Sequence, residues 1–568
     1  MNHFSKISSK SAETPLRSPD VVMRLDRLGS LFPNRLSFAR SLIRRMANEN
    51  WSITKEKFDL NDRGVGTAIY KIVTPVSTIW FVVFTDHLEA SERTDRVIAK
   101  KWDATFTLTT KEPDISKLRH LKENIPFQET GRCTSDEIIL SRANKSVRLF
   151  NHVVDKLASG QQPDPSKLIE VGYLMRTTAV YGNGKFGLAD FEYLQKQGLF
   201  TLPFQAEMLC VYLARNFSFD WVEHIASKLK PNSWCRLDEN LKRGLGVGNA
   251  TGLGMAPFLV NHPKLISNWI LTRERALQRV RQIEKISKEK RVQFTDLLTK
   301  TRMHVEEWFT TDRRQAESLC LLKKEIEDPS PLYQFLMVQC GWRYLSEWST
   351  KNLSIETQEL INSVLIEIYP ELVDELETET GADEDMPIVP GMALDELENI
   401  IETNYYWAMA FNYKQKKNNA RFWYASADKE EPRFGWRYSE PGADKELRIG
   451  IAQEVLSLKS ALAQIKPTKS KLNVAEFLIS KPQYREIIQR IQSLHSYPYA
   501  EIRDNLLADS CRPINLLRCK LAMFGATKFD PKSDLWIRIT LFQGAPLKEQ
   551  LNPKTADNWL FPSQKSGF

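Results

Sequence analysis

The chain has 568 residues, 42% hydrophobic and 26% charged, with a formal net charge of +8. That mixture is globular rather than disordered, and the length allows large cores. The positive excess is mild for this length, so it permits an anionic partner without demanding nucleic acid.

The first residues, MNHFSKISSKSAETPLRSP, lack an apolar signal-peptide core and read as a disordered tail over 1–18. A helix is expected in FARSLIRRMANENW. Phe38, Leu42, Ile43 and Met46 share one face, and Arg40, Arg44 and Arg45 lie elsewhere. WSITKEKFDL, GTAIYKIVT, STIWFVVFT and WDATFTLTT are rich in β-branched and aromatic residues, with short turns between them. Short connections favour antiparallel pairing, so residues 19–115 read as a small α+β domain.

Beyond Pro113 the strand signal fades and helical spacing takes over. SRANKSVRLFNHVVDKLASG places Leu149, Val153 and Leu157 in register before Gly160. PSKLIEVGYLMRTTAVYG reads as a further helix. PFQAEMLCVYLARNF is apolar around most of its circumference and is expected to be central. One or two long helices should follow Pro263, bringing a helical domain to about residue 327. A helical region then spans 328–480, interrupted by an acidic linker at 371–391. The mixed region 481–568 contains a helix at LLRCKLAMFG, a turn-rich connection at FGATKFDPKSDLW, a strand at DLWIRITLF and a tail. The expected fold is therefore mainly α and multidomain, with antiparallel strands confined to the small N-terminal domain.

Seven unpatterned cysteines, among them Cys133 and Cys210, read as reduced thiols. The longest apolar run, Thr78–Phe84, suits a strand rather than a membrane span. A cytoplasmic protein without membrane association is expected. No short metal motif occurs, and no metal site is assigned.

Two glycine-rich stretches carry the chemical expectation. RTTAVYGNGKFG, 176–187, is not a phosphate-binding P-loop. Ala179 stands where the first Gly is needed, and Phe186 where Ser or Thr is needed. Its Arg176, Thr177, Asn183 and Lys185 instead offer donors beside a flexible turn. RGLGVGNATGLGMAPF, 243–258, has Gly spacing reminiscent of dinucleotide sites but no surrounding βαβ alternation. Gly248, Asn249 and Thr251 would complete a pocket with the first stretch. His262, with His224 and Glu223 as further candidates, would move a proton.

The expected function is thus a soluble enzyme binding an anionic small molecule, a carboxylate or phosphate, with acid–base chemistry. The reaction, the oligomeric state and any cofactor, flavin and haem included, stay open. The alternative is a non-enzymatic nucleic-acid or protein-partner binder using segment 412–442, where Lys and Arg interleave with Phe, Trp and Tyr.

Overall fold

The computed structural model describes residues 14–28, 34–89, 92, 101–125, 134–184, 188–249, 262–306, 313–327, 341–381, 388–410, 412, 414, 421–426, 432–436, 443–447, 451–465, 472–501, 522–531 and 537–559. The content is mainly helical. Among the described helices none is long and apolar enough to cross a membrane.

The N-terminal helix α1 (Phe38–Asn48) leads into four strands: β1 (Ser52–Leu60), β2 (Gly66–Val73), β3 (Thr78–Thr85) and β4 (Ala104–Thr109). All pair antiparallel, as the short turns require. The sheet does not stop there. β5 (Glu137–Lys145) continues it antiparallel beside β4, and β6 (Tyr173–Gly182) follows. The boundary expected at 115 therefore falls inside one sheet. Residues 141–145 are strand, and the helix expected over that stretch begins only at Phe150.

From β6 the chain passes through α2 (Gln205–Leu229) to β7 (Gly246–Asn249), which lies parallel to β6. A parallel neighbour needs a long crossover, and α2 forms much of it. Its apolar circumference is explained by this position. Phe217 packs on Phe106, Tyr70 and Phe58 of the sheet, and Trp221 on Phe150. The strand order is completed by β11 (Ala526–Pro531) and β12 (Ile537–Leu541). The nine strands lie in the order β1-β2-β3-β4-β5-β6-β7-β12-β11. The strand expected in DLWIRITLF is present as β12. The connection expected at FGATKFDPKSDLW contains strand β11.

After β7 come α3 (Pro263–Arg281), then helices Lys288–Glu306, Arg313–Glu327 and Trp342–Asn352, then α4 (Ile355–Glu367). The expected long helical stretch is thus present in three pieces. The acidic linker is not a loop throughout. Its residues 374–380 form a 3₁₀ helix with Leu376 and Thr380 buried. Asp374, Glu375, Glu377 and Glu379 pair with Arg35, Arg279, Arg44 and Arg275 respectively. The tail expected at 1–18 is ordered at its end. Arg17 pairs with Glu274 and Glu359, both at 2.6 Å. Arg40 and Arg44 of α1, placed off its apolar face, are also buried. A separate apolar cluster joins helices Leu394–Asn404, Ala452–Ala463 and Arg485–Ser496 through Leu397, Ile401, Val455, Leu458, Ile488 and Ile491. The backbone of β8 (Arg421–Ser426), β9 (Pro432–Trp436) and β10 (Ala443–Leu447) makes a small antiparallel sheet. The side chains of segment 412–442 expected to contact nucleic acid, Trp423 and Trp436 included, lie outside the described residues.

Arg215 is fully buried on α2, and its guanidinium donates to backbone carbonyls. Nε donates to the carbonyl of Leu245 at 2.7 Å, Nη2 to Ala545 at 3.0 Å and Nη1 to Pro546 at 3.3 Å. Burial, the larger effect, and nearby Arg243 lower its pKa to about 10. It ties the approach to β7 to the chain just beyond β12. Arg215→Met should leave the buried Leu245 and Ala545 carbonyls without this donor, costing about 3 kcal/mol. Arg215→Lys should also be strongly destabilising, because one ammonium cannot span the three sites. Urea denaturation of both variants measures the effect; a loss under about 1 kcal/mol in both would remove this role.

Candidate functional site

Strand register decides which side chains can meet. Thr105 of β4 lies opposite Arg142 of β5, and Asn144 of β5 lies opposite Arg176 of β6. Arg176 is level with Gly248 of β7, and Gly248 with Thr540 of β12. Side chains alternate along a strand, and paired positions share a face. Thr105, Arg142, Asn144, Arg176 and Thr540 therefore share one face, as a row two adjacent rungs wide. Phe106, the neighbour of Thr105, packs on α2, so the row lies on the face away from α2.

All five side chains are buried. The Arg142 guanidinium stands 4.7 Å over the Trp102 ring. Asn144 Oδ1 accepts the Asp103 N–H at 3.4 Å, and Asp103 Oδ2 accepts the Lys145 N–H at 2.9 Å. The Tyr173 ring lies over Gly248, where a Cβ would come within 2.8 Å of it. Gly248 is glycine because an aromatic ring occupies the space of its side chain. Its spacing from Gly246 therefore marks a strand, not a dinucleotide loop.

Thr177 and Asn249 are neighbours, but on the α2 side. Asn249 Nδ2 donates to Thr177 Oγ1 at 3.3 Å, and that hydroxyl donates to the Gly248 carbonyl at 3.2 Å. The described strand parts of the two glycine-rich stretches, 176–182 and 246–249, thus run side by side in parallel rather than as two turns. Their donors divide between two faces: Arg176 on one, Thr177 and Asn249 on the other. Expecting 173–180 to be helical obscured this division.

At the end of β6, Asn183 Oδ1 accepts the Asp190 N–H at 3.0 Å, so this side chain closes a turn. Neither Gly182 nor Gly184 adopts positive φ. A Cβ on Gly182 would overlap the Ala189 backbone, so close approach rather than a left-handed turn requires glycine there. Lys185, Thr251 and Cys133 lie outside the described residues. Glu223 is held by Lys242 at 2.7 Å and by the Leu237 N–H at 3.1 Å. His224 Nε2 contacts the Asn61 carbonyl at 3.0 Å, with its ring edge-on to Phe58. Both fasten α2 to its surroundings, on the side of the sheet opposite Arg176. His262 is fully buried at the start of α3, the first described residue after β7. Among the described residues no cluster of three or more His, Cys, Asp or Glu could hold a metal ion.

Two residues matter that the sequence reading left out. Asn144 had no distinguishing neighbour in sequence, and only strand register brings it to Arg176. Glu207, in the first turn of α2, is buried and accepts the Ala189 N–H through Oε1 at 2.6 Å. Its Oε2 has no partner among the described residues. Burial pushes its carboxyl up to about 7, against the opposing pull of the Ala189 N–H. Its place within the apolar run PFQAEMLCVYL was the available signal. Comparison of the chain with protein-family models, with curated proteins and with solved structures gives no match. The site is therefore argued from its own geometry.

Glu207 gives a pH dependence with a definite sign. Its folded pKa lies above the unfolded value of 4.5, so folding favours the protonated acid. This contribution is complete below pH 4.5, is lost as pH rises to about 7, and stays lost above that. Glu207→Gln keeps the acceptor for Ala189 and cannot ionise. The variant should match wild type near pH 4.5 and exceed it by about 3 kcal/mol at pH 8. Denaturation midpoints of both proteins across that range test this. A difference that does not change with pH would show that Glu207 is ionised without penalty.

Proposed function

We propose that this chain is an enzyme that binds an anionic small molecule, a carboxylate or phosphate, against the β5–β6–β7 face opposite α2. The observation that carries the reading is the register of Arg142, Asn144 and Arg176. Two guanidinium groups and an amide, from adjacent strands, occupy one buried face. Guanidinium forks match the paired oxygens of carboxylates and phosphates, and a site shielded from water strengthens the contact. Ligands of sheets with parallel strands gather where neighbouring strands change direction of connection. β7 is such a place, parallel to β6 and antiparallel to β12. Trp102 and Tyr173 supply flat apolar walls beside the cations. His262 is assigned the proton transfer, because its imidazole suits acid–base work near neutral pH. Glu223 and His224 leave this assignment, since both are engaged on the other side of the sheet.

Calorimetric titration with inorganic phosphate and with a panel of small di- and tricarboxylates tests the reading. Arg176→Ala should weaken the preferred ligand by about 1.5–3 kcal/mol, roughly ten- to a hundredfold. Arg176→Lys should recover only part of the loss, because the charge returns without the fork. Unchanged affinity in a folded Arg176→Ala protein would reject the site. Binding of single-stranded oligonucleotide with a steep salt dependence, and of no small anion, would favour segment 412–442 instead.

A further inference from the structure

We propose that the buried N-terminus of α1 is a second anion site, which takes a carboxylate or phosphate group through Ser37, Arg44 and the first-turn backbone N–H groups. It lies apart from the Arg142–Arg176 row. α1 packs on α2, which covers the opposite face of the sheet.

α1 has 11 residues, and Ser37 stands at its N-cap in the extended conformation that suits a capping serine, with φ −65° and ψ 141°. Yet Ser37 makes no capping bond. Its hydroxyl is fully buried and has no partner among the described residues. Phe38, Ala39 and Arg40, whose N–H groups open the helix, are buried as well. A helix end shielded from water with its donors unmet is costly, and a helix N-terminus attracts negative charge.

Arg44 supplies a second and independent observation. Its Nη2 reaches back to the Arg35 carbonyl at 2.9 Å, so its guanidinium folds toward the turn that precedes the helix. Nη1 is buried and has no partner among the described residues. Asn34 completes the turn. Its carbonyl accepts the Ser37 N–H at 3.1 Å, while its buried Oδ1 is unpartnered among the described residues. Rotating that amide would present two more donors. A hydroxyl, a guanidinium edge and an amide therefore lie unmet around one buried turn.

The surrounding charges are Arg35 and Arg40 against Glu367, Asp374, Glu377 and Asp557, the last 3.2 Å from Arg35. Arg40 pairs with Glu367, Arg35 with Asp374, and Glu377 takes Arg44 Nη2 and the Ser41 hydroxyl. Burial foremost, then Arg35 and Arg40, lower Arg44 to about 9. An anion at Nη1 would oppose that shift. Gly525 forms part of the wall. A Cβ there would approach Ser37 Oγ to 2.9 Å, so a side chain at this position would crowd the hydroxyl.

The experiment uses the full chain carrying Arg176→Ala, so that the first site is weakened. Inorganic phosphate and acetate are titrated separately by calorimetry. Saturable binding of one of them is expected, and the preferred ion identifies the chemistry. Adding Ser37→Ala should weaken it about fivefold, the effect of one hydrogen bond. Adding Arg44→Lys should weaken it tenfold or more by loss of the fork. Without ligand, Ser37→Ala should hardly change the melting temperature, because the hydroxyl makes no bond to lose. If Arg44→Lys fails to fold, Ser37→Ala decides alone. Absence of saturable binding, or binding that Ser37→Ala leaves unchanged, overturns the second site. Loss of binding in Arg176→Ala alone, with Ser37 intact, overturns it too and leaves the first site standing.

Discussion

Glu359 holds three arginines in the protein interior. Arg17, Arg27 and Arg273 all pair with its carboxylate, which is almost wholly buried. Burial works to raise the pKa of this acid, but Arg17 and Arg273 hold it well below the ordinary carboxylate range. A buried charge of this kind is stable only while every partner is present, since removing one leaves another uncompensated. The constraint reaches far along the chain. Arg17 and Arg27 belong to the N-terminal stretch, Arg273 to α3 and Glu359 to α4. Glu367, about two turns further along α4, repeats the device with Arg40 and Arg35. Arg17, Arg27, Arg35 and Arg40 therefore fasten the N-terminal stretch, where it is described, to helices that lie more than two hundred positions later.

The sheet imposes a second long-range condition. β7 is short, and one of its edges is completed by β12 near the other end of the chain. Arg215 and the Tyr212 hydroxyl, which donates to the Pro546 carbonyl at 2.9 Å, anchor the chain just past β12 against α2. Pairings of such separation carry a large loop-closure cost before they form. The β6–β7 junction, and the row of side chains that depends on its register, is thus complete only when both distant segments have arrived.

What the sequence showed follows from what periodicity can report. β1 to β4 were legible because each alternates and the turns between them are short. α2 was legible as a central helix because it is apolar all round. β5 and β6 were not, since SRANK and YLMRTT lack the β-branched alternation of a half-exposed strand. Both are buried on two faces, where polar residues such as Arg142 and Arg176 interrupt the pattern. The neighbourhood of Arg176 and Gly248 was anticipated from glycine and Asn content, but as turns. The face on which each residue lies could not be read, because a strand taken for a helix has the wrong period. The burial of Arg40 and Arg44 was not legible for a related reason. Their partners Glu367 and Glu377 lie more than three hundred positions away, and no local pattern announces them.

The same physics separates polar residues that serve the fold from those that do not. Arg215 finds carbonyls, and Glu359 finds arginines; each is accounted for by what it fastens. Ser37 differs, because replacing a buried hydroxyl that bonds to nothing with alanine would remove a desolvation cost at little loss. Arg44 differs in the same sense at one nitrogen, where an apolar side chain of similar volume would be easier to bury. Stability alone does not favour either arrangement. Departures from local consistency are expected where a structure serves something other than its own folding. At α1 the departure has a chemical sign: its helix N-terminus and guanidinium both attract negative charge, and the serine hydroxyl can donate to it. The requirement these groups share is an anionic oxygen, which no described residue provides to Ser37 Oγ or Arg44 Nη1.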